Sequence, residues 1–147
     1  RTYSLGEPSP EVRRFAAVAR ACEDAAFGAI APGVAAHEPY DAARSVAEAN
    51  GVADWFQGHG RYHGPYIGHG LGLEFDEPPV LGPRVETPLE EGMVLTIEPK
   101  LIAPSTGTVN FEDDVVVRSS GAEYLSDLPR ELFVLSDGAA EPLGARL

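Results

Sequence analysis

Apolar residues recur at helical spacing through the first third of the chain and in short runs through its second half. Thr2 to Leu5 alternates and carries strand-favouring residues, and Gly6-Glu7-Pro8 turns it. Ser9, Pro10 and Glu11 then offer a capping hydroxyl, a proline suited to the first helical position and an acid at the positive end of the dipole. Phe15, Val18, Ala19, Cys22, Ala26, Ala29 and Ile30 lie on one stripe, which predicts a long packed helix ended by Pro32-Gly33. A second helix is predicted from Ala36 or His37, through Ala42, Ala43, Val46, Ala47 and Ala49, to an Asn50-Gly51 stop. The short connection predicts an antiparallel pair.

From Val52 the pattern changes. Gly58-His59-Gly60, His63-Gly64-Pro65 and Gly68-His69-Gly70 read as loop, and a proline-punctuated acidic turn runs from Gly82 to Gly92. Strands are predicted at Met93 to Ile97, at Leu101-Ile102, over Val109 to Val117, at Glu123 to Leu125 and at Glu131 to Leu135. Residues 136–147 read as a loose tail. Two helices followed by an antiparallel sheet make the fold class α+β.

Composition changes this picture little. The 147 residues suit one domain. A net charge of −12 opposes nucleic-acid binding, which needs a basic face, and reads as solubility. No apolar run of about 18 residues exists to span a membrane. The single Cys22, on the helical stripe, is expected to be a buried structural thiol in a reducing compartment. With no basic-then-apolar leader, the expected location is cytoplasmic. The chain opens on Arg1-Thr2-Tyr3 like the tail of a strand, and is expected to be a piece of a longer protein.

The chemistry concentrates in Tyr66-Ile67-Gly68-His69-Gly70-Leu71-Gly72-Leu73-Glu74-Phe75-Asp76-Glu77-Pro78-Pro79. Glycines on both sides of His69 let backbone approach closely. Glu98 stands between an apolar strand and Pro99, where sheet geometry aims its carboxylate. Glu112 interrupts a core-like run with Asp113 and Asp114. Carboxylates embedded in strands are costly without a cation or hydrogen bonds, so the three residues are candidate ligands to a metal. The plainer readings are a simple loop at His69, a solvent-facing Glu98, and an exposed strand edge at Asp113-Asp114.

Four ordered motifs carry a resemblance: Gly68 to Glu74, Leu89 to Pro99, Phe111 to Val117, and Pro129 to Leu132. In order and spacing they resemble the pita-bread metallopeptidases, which include Xaa-Pro dipeptidases and aminopeptidases, methionine aminopeptidases and creatinase relatives. The resemblance covers the chain to about Leu135 and implies the C-terminal portion of that fold, a helix pair packed on a curved antiparallel sheet. It implies that His69, Glu98 and Glu112 are metal ligands, with Glu98 touching a bridging water and Glu112 joining two divalent ions. Those ions, Mn²⁺ or Co²⁺ with Zn²⁺ as an alternative, acidify the water for attack on a peptide or amide. It also implies a homodimer.

Two departures matter. The family's two remaining ligands are aspartates lying upstream of Arg1; Asp24, Asp41 and Asp54 do not match them. The chain by itself is therefore expected to bind metal poorly and to be inactive. Asp76 falls seven residues after His69, where many peptidase members carry a substrate-contacting histidine. A carboxylate there suits a positively charged substrate group or accepts a hydrogen bond. Pro65 falls where another histidine is common; His63 is a candidate substitute, and His59 reads as structural. The best implied substrate is an Xaa-Pro peptide. A creatinase-like C–N hydrolase and a pita-bread binding module without catalysis are the rivals.

Overall fold

A computed structural model describes residues 1–136 and 139–143. Helix α1 spans Pro10–Ala29, and its Ser9 side chain accepts the Val12 amide hydrogen at 3.2 Å. Helix α2 spans Glu38–Ala49 and packs along α1. Phe15, Ala19, Cys22 and Ala26 of α1 are buried, as are Ala43 and Ala47 of α2. Small residues on both stripes let the helices approach closely. The first helix ends at Ala29, ahead of Pro32-Gly33, because Ile30 is already extended. Burial pushes the Cys22 thiol up to about 12, so it stays protonated and inert.

Five strands form one antiparallel sheet: β4 (Gly68–Gly70), β5 (Glu77–Val80), β6 (Val94–Ile97), β9 (Asp113–Arg118) and β10 (Gly121–Tyr124), in the order β10-β9-β6-β4-β5. Two hairpins flank it. One joins β2 (Gly58–His59) to β3 (Tyr62–His63), the other β7 (Lys100–Ala103) to β8 (Gly107–Asn110). A third sheet pairs β1 (Tyr3–Leu5) with β11 (Phe133–Ser136) in parallel and β11 with β12 (Ala139–Pro142) antiparallel.

Four expectations change. Gly58-His59, His63 and Gly68-His69-Gly70, read as loop, lie in strands β2, β3 and β4, because their backbone groups pair with neighbouring segments. The run from Val109 to Val117 is not one strand: β8 and β9 belong to different sheets, and Glu112 stands at the break between them. Asp113 and Asp114 are not on an edge, because β9 lies between β10 and β6. Of the expected loose tail, residues 139–142 form a strand, since β11 would otherwise leave its backbone groups on that side unpaired. Residues 137, 138 and 144–147 lie outside the described residues.

Candidate metal centre

The sheet register divides the central strands into two chemically different faces. His69 lies opposite Thr96, and Thr96 opposite Asp114. One row away, Ile97 lies between Gly68 and Asp113. Side chains alternate along strands, so His69, Thr96 and Asp114 share a face and Ile97 and Asp113 take the other. The Glu98 amide donates to the Ile67 carbonyl at 2.6 Å, which carries the ladder one residue further. Continuing that register assigns Glu98 and Glu112 to the face of His69. The opposite face is core, where Leu95, Ile97, Val115 and Val117 are fully buried.

Each ligand candidate is held differently. His69 is 3% exposed, and its Nδ1 lies 3.0 Å from the Gly70 carbonyl oxygen. A carbonyl only accepts, so the proton is assigned to Nδ1 and Nε2 keeps the lone pair a metal needs. The Glu98 side chain is largely buried and pairs with the Lys100 ammonium at 2.6 Å. Thr96 Oγ1 donates to Asp114 Oδ1 at 2.7 Å. The Glu112 carboxylate is exposed and takes a 3.4 Å hydrogen bond from Asn110 Nδ2.

Behind this face, Arg1 fixes the backbone around Glu112. Its Nη1 donates to the Glu112 carbonyl at 2.9 Å, and its two terminal nitrogens grip the Asp113 carboxylate at 2.9 and 2.6 Å. It also reaches the carbonyls of Leu128 and Pro129. Asp113 faces Glu23 of α1, which is fully buried and receives no hydrogen bond from a fixed donor. Burial first, and then the facing Asp113, raise the Glu23 pKa well above the carboxylate range. A proton kept on Glu23 and donated to Asp113 satisfies both groups. Arg130, 3.9 Å from Glu23, is too distant to replace that bond.

An imidazole whose Nδ1 is engaged by a backbone carbonyl, with carboxylates assigned to the same face, fits part of a metal site. Lys100 supplies a cation to Glu98 alone, and the buried Asn110 Oδ1 beside Glu112 has no partner among the described residues. The set is partial: among the described residues, no three His, Cys, Asp or Glu side chains gather closely enough to hold an ion.

Asp76 sits outside the ligand set, exposed at the end of the loop after β4, and its Oδ2 accepts from the Tyr66 hydroxyl at 2.9 Å. That bond, then burial, then the negative charges of Asp76 and Glu98 hold the Tyr66 hydroxyl above its ordinary pKa. Tyr66 meets the His69 ring edge-on, with centroids 6.3 Å apart, and Phe75 tilts against it at 5.8 Å. His63 is exposed on β3 and lines a cavity with Tyr40, Arg44, Trp55 and His59; none of His69, Glu98 and Glu112 lines it. His59 tilts against the Trp55 ring at 4.7 Å.

Thr96, Lys100, Asp114, Tyr66 and Arg1 were given no site role from the sequence. Thr96 and Lys100 carried a readable signal, since they stand two residues to either side of Glu98. Arg1 carried none, because its partners lie more than 100 residues away.

Helices packed on one side of antiparallel strands, with His69 and acidic residues on the other, belong to the pita-bread fold. Residues 1–119 match metallopeptidase family M24. The Xaa-Pro dipeptidase of Pyrococcus furiosus is 36% identical over 132 residues, covering 90% of this chain and 36% of that protein. The crystal structure of dipeptidase PepE from Mycobacterium ulcerans matches with a TM-score of 0.82 and 37% identity, over 91% of this chain and 34% of that one. A dipeptidase structure from Pyrococcus horikoshii matches with a TM-score of 0.83 and 35% identity, over 92% of this chain and 36% of that one. This chain belongs to metallopeptidase family M24. It spans about a third of the length of these relatives.

Proposed function

We propose that the protein carrying this chain is a metal-dependent peptidase of the Xaa-Pro type, cleaving an N-terminal peptide bond. The observation that carries the reading is the face that His69 shares with Thr96 and Asp114, to which the continued register assigns Glu98 and Glu112, opposite a core face of Leu95, Ile97, Val115 and Val117. On this reading the three residues hold two divalent cations together with two aspartates from an upstream segment. Mn²⁺ or Co²⁺ is proposed, with Zn²⁺ as the alternative, since imidazole and carboxylate together do not select sharply. When bound, such ions lower the pKa of water and polarise a carbonyl.

The chain's own residues do the remaining work. The Gly70 carbonyl accepts from His69 Nδ1, which reserves Nε2 for a metal. Lys100 pairs with Glu98 and would have to release its carboxylate for Glu98 to hold a metal. Arg1 and Thr96 hold the Glu112 backbone and the Asp114 carboxylate in register. Phe75 and Tyr66 line the approach to His69. A cytoplasmic homodimer acting on small peptides completes the proposal.

The test is turnover of Xaa-Pro dipeptides by the full-length protein with added Mn²⁺. Hydrolysis that is lost on chelation and restored by Mn²⁺ is expected. Absence of turnover above background with every metal tried would overturn the reading.

A further inference from the structure

The segments on either side of β4 leave three side chains in an arrangement that the metal site does not use. Phe75 is 77% exposed, an unusual position for a phenyl ring beside a buried imidazole. Tyr66 stands on another side of His69 with its ring half-buried and its hydroxyl committed to Asp76. Asp76 takes only that hydrogen bond among the described residues, and no arginine or lysine pairs with it. A carboxylate held by one phenol therefore keeps its other oxygen open beside the Tyr66 ring, and Tyr66 and Phe75 both stand against His69. Glu74 is exposed two residues away, and the negative charge of Glu98 reaches the same tyrosine.

Each part prefers the same kind of guest. An aromatic face attracts a cation through its quadrupole, and a carboxylate attracts one through its charge. An anionic group would meet the charges of Asp76 and Glu74, and a neutral group gains only contact area. We propose that Asp76, Tyr66 and Phe75 form a specificity pocket for a cationic substrate side chain, so that the enzyme favours peptides bearing lysine or arginine. Asp76 supplies the charge, Phe75 the open aromatic wall, and Tyr66 fixes the carboxylate through its hydroxyl. The inference deepens the peptidase reading and rests on it for the position of the scissile bond.

The test compares Lys-Pro, norleucine-Pro and Glu-Pro with the full-length, Mn²⁺-loaded protein. Lysine and norleucine share their carbon chain, so their ratio isolates the charge. The expected kcat/KM is about tenfold higher for Lys-Pro than for norleucine-Pro, the size of a partly desolvated cation–π contact joined to a charge pair. Glu-Pro should be the poorest of the three. The preference should shrink at high ionic strength, because the pocket is open to solvent. Asp76→Asn should bring the Lys-Pro to norleucine-Pro ratio close to one, and Phe75→Leu should lower it about threefold.

A ratio near one in the unmodified enzyme, or a ratio that Asp76→Asn leaves unchanged, overturns the pocket while leaving the peptidase reading intact. Calorimetric binding of the same three dipeptides to the full-length protein provides a readout independent of turnover. Tighter binding of Lys-Pro without hydrolysis would uphold the pocket and sink the peptidase reading. Equal binding of Lys-Pro and norleucine-Pro without hydrolysis would sink both.

Discussion

Gly68 and Gly70 frame His69 for a steric reason. A Cβ on Gly68 would lie 2.2 Å from the Thr96 carbonyl oxygen, and one on Gly70 would lie 2.8 Å from the carbonyl oxygens of Glu77 and Pro78. Both obstacles are backbone in neighbouring strands, which cannot rotate aside. Gly68→Ala should therefore push β4 from β6 and destabilise the fold by about 3 kcal/mol, at the upper end for overpacking. Urea denaturation measures it; a loss under about 0.5 kcal/mol would show that the strands are not held as closely as described.

Helix α1 does more than cover the sheet, because it delivers Glu23 to the buried side of β9. Burial, and then the facing Asp113, raise the Glu23 pKa to about 9, with Arg1 and Arg130 nearby. Its folded pKa lies above the ordinary value of 4.5. The stability it contributes is therefore complete below that value and is lost as pH rises through the folded pKa. Glu23→Gln keeps a donor for Asp113 and removes the titration. It should stabilise the protein by about 2 kcal/mol at pH 8, with the gain fading toward pH 4. Thermal melts across that range provide the check, and a constant difference between the two proteins would refute a neutral Glu23.

Across the whole molecule, Arg1 joins segments far apart in sequence: the chain leading into β1, the break before β9, and residues 128–129 ahead of β11. The guanidinium and Asp113 are both nearly excluded from solvent, with side chains 7% and 2% exposed. Removing one member of a buried pair strands the other's charge. Arg1→Ala should accordingly cost about 3 to 5 kcal/mol. Arg1→Lys should recover little, because an ammonium cannot grip a carboxylate at two points while also reaching three carbonyls. Chemical denaturation of both variants tests this, and full rescue by lysine would show that charge alone is at work.

Much of this was legible before any coordinates. Helix periodicity with a Ser9-Pro10 start, the Asn50-Gly51 stop, and strand runs in the second half are local properties, so short stretches determined them. The candidate ligands were readable too, since glycines around an imidazole and acids inside apolar strands are anomalies on their own. What the chain could not reveal linearly was which strands meet. Val109 to Val117 reads as a continuous run, yet the chain leaves one sheet and enters another at Glu112. Tertiary pairing alone put His69, Thr96 and Asp114 in one row, sent Asp113 to the core face against Glu23, and brought Arg1 to both. The sequence chose the chemical groups; cross-strand register, which depends on residues tens of positions apart, decided the face on which each of them acts.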